Sequence, residues 1–203
     1  MKIVYILLSV IGALLIIFLV LRLVKRIKAV KACNQILKMT CSCKEKATAI
    51  LSCEFRRDQL ISDANLPLED SAGLYCENIL VCRGGINVIS AIDFVGSIDD
   101  PAEGNWTGYA NGQAVLLDNP IEQNRARLRS IENILRKEEI DNIPLRSTVV
   151  LPSKETKLKY RRDEIIRVGQ LFEKMSDMNK NRFLSSHEMK KVISAIKKNL
   201  AVK

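Results

Sequence analysis

The sequence predicts an α/β domain, a mixed sheet flanked by helices, preceded by one apolar N-terminal helix. Three observations carry this. Two hairpin signals follow one another between Cys76 and Asn124. An amphipathic helical pattern comes next and gives way to a short β-branched run. Nineteen residues near the start, Ile3 to Leu21, carry no charge.

Those nineteen residues would span about 28 Å as a helix, close to the roughly 30 Å of a bilayer's hydrocarbon core. Lys25, Arg26, Lys28 and Lys31 follow, against Lys2 alone before them. By the positive-inside rule, the expectation is a single-pass signal anchor in the cell membrane with everything after Val24 in the cytoplasm. A cleaved signal peptide fits less well, because its charges precede a shorter apolar core. Val30-Lys31-Ala32-Cys33 is a weak lipoprotein-like box. The division expected is residues 1–24 as anchor, 25–42 as a basic juxtamembrane segment and 43–203 as the folded domain.

Beyond the anchor, Val30 to Cys53 reads as a helix broken near Thr40 to Ser42. The apolar runs Ile79–Cys82 and Ile86–Ile92 flank Arg83-Gly84-Gly85, which predicts two paired strands and a tight turn. Trp106–Ala110 and Gln113–Leu117 flank Asn111-Gly112, a type I′ turn signal because both central positions need positive φ. Asn119-Pro120 starts a helix whose apolar face carries Leu128, Ile131 and Leu135. Ser147–Leu151 is a buried strand, and Asp163–Met175 and Ser185–Leu200 read as amphipathic helices. The second of these is opened by a Ser185/Glu188 capping box.

Asp177, Asn179, Asn181, Phe183, Ser185 and Glu188 match the ligand positions of an EF-hand loop. Arg182 stands where that loop needs glycine, so the capped helix is the preferred reading. The six cysteines include no Cys-x-x-Cys pair, and the one histidine, His187, lies far from them. No metal site is expected from them.

Charge is divided. Residues 61–124 hold one base and ten acids, and residues 125–203 hold twenty bases and ten acids. An acidic sheet segment disfavours a nucleic-acid track there, because phosphate neutralisation supplies most non-specific affinity. The anion-binding candidates are therefore Arg125, Arg127 and Arg129 on one helix, and Lys157, Lys159, Arg161 and Arg162 before the next. Anionic lipid, nucleic acid and a plain solvated face all fit these residues.

The order Asn65-Leu66-Pro67, Gly85-Ile86, Val88-Ile89, Gly96, Ile98, Trp106, Asn119-Pro120, Gln123-Asn124, Thr148-Val149-Val150 and Leu184-Ser185 resembles the nuclease-related domain family, NERD. The likeness runs from the mid-forties to the end of the chain. That family is a bacterial branch of the restriction-endonuclease-like nucleases, so the resemblance implies a restriction-endonuclease-like sheet. It also implies Mg²⁺ held by an Asp and by a Glu two residues before a Lys. This chain has Glu77 in place of the Asp, Ser90 in place of the Glu and Ile92 in place of the Lys. Mg²⁺ takes hard oxygen ligands and the Lys offsets phosphate charge, so neither Ser90 nor Ile92 can substitute. Glu45 aligns with a helix glutamate of the family or is a solvated residue.

The expected function is a membrane-tethered, catalytically degenerate domain that binds a partner, protein or nucleic acid, or an anionic lipid surface, without a cofactor. The alternative is an active Mg²⁺-dependent nuclease with displaced ligands. Its site residues would be Glu77 as metal ligand, Asp93 as replacement ligand and Gln123 facing the cleft.

Overall fold

A computed structural model describes residues 2–68, 71–152, 155–160 and 162–201, and only the backbone of residues 2–10, 71 and 72. The first helix, α1, runs Lys2–Leu37 without interruption, so the expected boundary between anchor and juxtamembrane segment falls inside one helix. From Ile11 the uncharged stretch continues only to Leu21, before Arg22, Lys25, Arg26 and Lys28. Among the described residues no helix is long and apolar enough to cross a membrane. The first half of the expected span lies outside the residues whose side chains are described.

Helix α2, Cys43–Glu54, begins at Ser42, whose hydroxyl accepts the Glu45 N–H while the Glu45 carboxylate accepts the Ser42 N–H. Glu45 is thus a capping-box residue that satisfies a free helix-end donor. Strands β1 (Leu60–Leu68), β2 (Ser71–Cys82) and β3 (Gly85–Ala91) then form an antiparallel meander. The β1 strand, which includes the Asn65-Leu66-Pro67 landmark, was not expected.

After β3 the chain leaves this sheet. Strands β4 (Ser97–Asp99), β5 (Trp106–Ala110) and β6 (Gln113–Leu117) build a second sheet. The Asn-Gly turn has positive φ at both positions, 51° at Asn111 and 75° at Gly112. Helix α3, Pro120–Lys137, is capped by Asn119 Oδ1, which accepts the Ile121 and Glu122 N–H groups. Strand β7, Leu145–Leu151, returns parallel to β3. Next come β8 (Lys157–Leu158), beside β4, and β9 (Ile165–Arg167), beside β7. A 3-10 turn leads into α4, Leu171–Lys180, and Ser185 caps α5, Ser186–Lys198.

The fold is thus mixed α/β, with two sheets in place of the one expected. The first has order β1-β2-β3-β7-β9 and the second β6-β5-β4-β8. Helices α3 and α5 pack on one face of the first sheet around Ile79, Val81, Ile86 and Val88. On the other face α2, α4 and the end of α1 pack around Leu80, Ile89 and Val150. Burial on both faces explains why β3 is an unbroken apolar run. The expected helix at 163–175 is instead β9 followed by α4, because Ile165 and Ile166 complete the parallel ladder.

The EF-hand alternative fails in its geometry. Asp177 to Lys180 are still helical, Asn179 Oδ1 accepts the Arg83 N–H, and Glu188 caps α5.

Candidate functional site

The β2–β3 ladder stops where Asn78 faces Ile89. Beyond that point the strands splay, and the Glu77 carboxylate accepts the freed Ala91 N–H at 2.8 Å. Burial pushes the Glu77 carboxyl above its ordinary value; the Ala91 N–H, Arg127 and Lys44 oppose this, and Asp93 adds to it. Asp93, just past the end of β3, accepts the Cys43 N–H at the first turn of α2. Burial, followed by the charges of Asp93 and Glu77, drives the Cys43 thiol up to about 12. Asp93 therefore sits at the N-terminus of α2, where the helix-end N–H groups favour negative charge, and Glu77 is near enough to feel its charge.

Gln123 sits elsewhere, on the α3 side with Ser90. There Arg127 lies inside the protein, 5 % exposed. Its Nε donates to Tyr75 O at 2.7 Å, its Nη1 to Ser90 Oγ at 2.7 Å and to Asn124 Oδ1 at 2.8 Å, and its Nη2 to Gln123 Oε1 at 3.2 Å. Ser90 Oγ donates to Asn124 Oδ1 at 2.6 Å, and Asn124 Nδ2 donates to Ser147 Oγ at 3.1 Å. A guanidinium has five N–H donors; four bonds to protein acceptors leave it nearly saturated.

A third cluster, not expected from the sequence, lies toward the surface. Lys44 Nζ donates to Asp63 Oδ1 at 2.8 Å and to Tyr75 Oη at 2.5 Å, and Tyr75 Oη donates to Asp63. The Asp63 and Tyr75 oxygens hold the Lys44 ammonium well above its ordinary range.

The basic residues divide as well. Arg125, Arg129 and Lys157 are exposed and form no ion pair among the described residues. Lys159 pairs with Asp99 at 3.1 Å, and Arg162 with the fully buried Asp100 at 3.2 Å. Arg161 and Lys154 lie outside the described residues. Two of the anion-binding candidates are corrected: Arg127, which the helical period turns inward with Asn124 and Ile131, and Arg162, which neutralises the buried Asp100. That period was the sequence signal for Arg127, since residues three and four apart share a face.

Among the described residues no group of three His, Cys, Asp or Glu side chains could hold a metal ion. No curated protein and no solved structure matches the chain. The family model described as NERD, Nuclease-related domain, matches residues 45–152 and ends just after β7, earlier than the resemblance suggested. That match takes in the splayed end of β2 and β3, the Asn119-capped helix and Arg127, and the chain belongs to the nuclease-related domain family.

Proposed function

We propose that the chain is a membrane-tethered, catalytically degenerate nuclease-related domain that acts by binding a partner or an anionic surface. The observation that carries this reading is the seating of Arg127. Its guanidinium lies against Ser90, the position at which the family resemblance calls for a metal-binding glutamate. A fixed cation there repels a divalent ion. The carboxylates nearby are committed to backbone donors, Glu77 to Ala91 and Asp93 to Cys43. The donor set does not fit Mg²⁺, which needs hard oxygens it can draw into near-octahedral geometry.

The tether rests on exposed apolar surface. Leu14 to Leu21 are each more than half exposed on α1, and an apolar patch of that kind marks a contact with a membrane or a protein. The basic residues that follow, together with Arg125, Arg129 and Lys157, are the groups offered to anionic headgroups, each worth about 1 kcal/mol near such a surface.

The catalytic half is tested by incubating the chain with single- and double-stranded DNA and RNA in Mg²⁺ and in Mn²⁺, beside Glu77→Ala. Cleavage at background level is expected in both. Metal-dependent degradation that disappears in Glu77→Ala would overturn the reading in favour of an active nuclease with displaced ligands. The tether is tested by alkaline extraction of membranes and by a C-terminal phosphatase fusion. Release into the soluble fraction sinks the anchor, and phosphatase activity outside the cell reverses the orientation.

A further inference from the structure

The two sheets end in four edge strands, and three of them are guarded against pairing. The β1 edge carries Pro67, a left-handed residue at Asp63 with φ 52°, a register shift near Leu66 and a backbone bond from Ala201 N–H to Asn65 O. The β8 and β9 edges are two and three residues long. Proline, irregularity, coverage and shortness are the devices by which proteins blunt an edge.

The β6 edge has none of these. Its five residues, Gln113–Leu117, contain no charge and no proline, and among the described residues they pair, in unbroken register, with β5 on one side only. The first four are exposed on both faces, with Val115 45 % and Leu116 70 % exposed, beside Tyr109 on β5. Open backbone donors and acceptors next to apolar side chains are the elements of strand addition.

Charge identifies the occupant. No lysine or arginine occurs from residue 97 to 124, a stretch that holds Glu103, Asp118 and Glu122. Among the described residues none of these three forms an ion pair; Glu122 accepts the Gly104 N–H and Asp118 accepts from Gln123. Elsewhere on this sheet Asp99 and Asp100 are neutralised by Lys159 and Arg162.

We propose that β6 is a docking edge for an extended segment of another protein, with apolar residues alternating along it and lysine or arginine at the end that meets Leu117. The segment adds as a fifth strand beside β6, covers Val115 and Leu116, and sets its cations against Glu103, Asp118 and Glu122. This surface uses no residue of the Arg127 cluster, so it stands whether or not that cluster is catalytic.

The test offers the full chain, in neutral detergent micelles, a phage-displayed library of random peptides. A recovered peptide is synthesised, and its affinity is measured by fluorescence anisotropy against the unaltered chain, Leu116→Lys and the double variant Glu103→Gln with Glu122→Gln. Circular dichroism confirms that each variant is folded. The expected peptides alternate apolar residues and carry bases at one end, lose binding when a central residue is replaced by proline, and bind Leu116→Lys at least about tenfold more weakly. The double variant should flatten the salt dependence. The proposal is overturned if no peptide is recovered, if the peptides are acidic, or if affinity is unchanged by Leu116→Lys. A concentration-dependent doubling of mass that vanishes in Leu116→Lys would overturn it in favour of a second copy on the same edge.

Discussion

Arg127 Nη1 donates to Ser90 Oγ at 2.7 Å, and that oxygen in turn donates to Asn124 at 2.6 Å. One cation thereby joins α3 to the central strand of the first sheet. Removing it takes one donor from each of the oxygens of Tyr75, Ser90, Asn124 and Gln123, two of which, on Ser90 and Asn124, are buried. Arg127→Ala is therefore expected to lower unfolding free energy by about 1–3 kcal/mol, the cost of leaving buried neutral acceptors short of a donor. Urea denaturation measures this, and Arg127→Lys should recover only part because an ammonium cannot reproduce the fork. A loss under about 1 kcal/mol would put the contact on a par with an exposed pair.

Glu77 gives a pH dependence of defined sign. Burial raises its folded-state pKa above the ordinary 4.5. The fold therefore holds this proton more tightly than the unfolded chain does. The stability it contributes is complete below the unfolded pKa and declines as pH rises through the folded one. Glu77→Gln cannot ionise, so the melting temperature of the variant minus that of the unaltered chain should be greater at neutral pH than near pH 4. A difference that shrinks as pH rises would mean that Arg127 and the Ala91 N–H outweigh burial.

Asn119 both caps α3 and ties it to the loop before β5, through Nδ2 to Gly104 O at 3.1 Å. Asn119→Ala should cost about 1–2 kcal/mol, and Asn119→Asp less, because the carboxylate still accepts from Ile121 and Glu122. Equal losses in the two variants would show that the Gly104 bond, and not the cap, dominates.

Two glycines with positive φ should respond differently to alanine. A Cβ on Gly85, φ 113°, would meet Pro144 O at 2.2 Å, whereas one on Gly112, φ 75°, would meet nothing within 4 Å. Gly112→Ala is expected to cost about 1 kcal/mol of backbone strain. Gly85→Ala should cost clearly more, since β3 or Pro144 must move, and thermal melting of the pair decides it.

The parts of this fold that were legible in the sequence are those set by local chemistry. Asn111-Gly112 placed β5 and β6, Asn119-Pro120 placed the start of α3, and Ser185 with Glu188 placed α5, because each is decided within a few residues. Strand β1 was missed because Asp63 and Pro67 interrupt its alternation. Strand β9 was missed because three residues are too few to show a period against the helix that follows. The division into two sheets depends on how the chain turns between Ile92 and Gly96; Gly96, φ 145°, marks a break there, but a break does not say that a second sheet follows. Within the site, Arg127 was read by its charge when its spacing from Asn124 and Ile131 placed it inside. The Asp93 contact to Cys43 joins residues fifty apart in the chain, and nothing local announces it.

Helix α1 continues without a break from Lys2 to Leu37, and its far end is already part of the domain, with Ala29 and Cys33 buried there. From Leu21 to Ala29 is about 12 Å along the axis at 1.5 Å per residue. No slack linker separates the apolar segment from the body. If the segment is held in a bilayer, the domain rides close to the lipid surface on a short stalk, with little reach and a preferred heading. What it meets is then selected by lateral diffusion in the plane and not by a search through the surrounding volume.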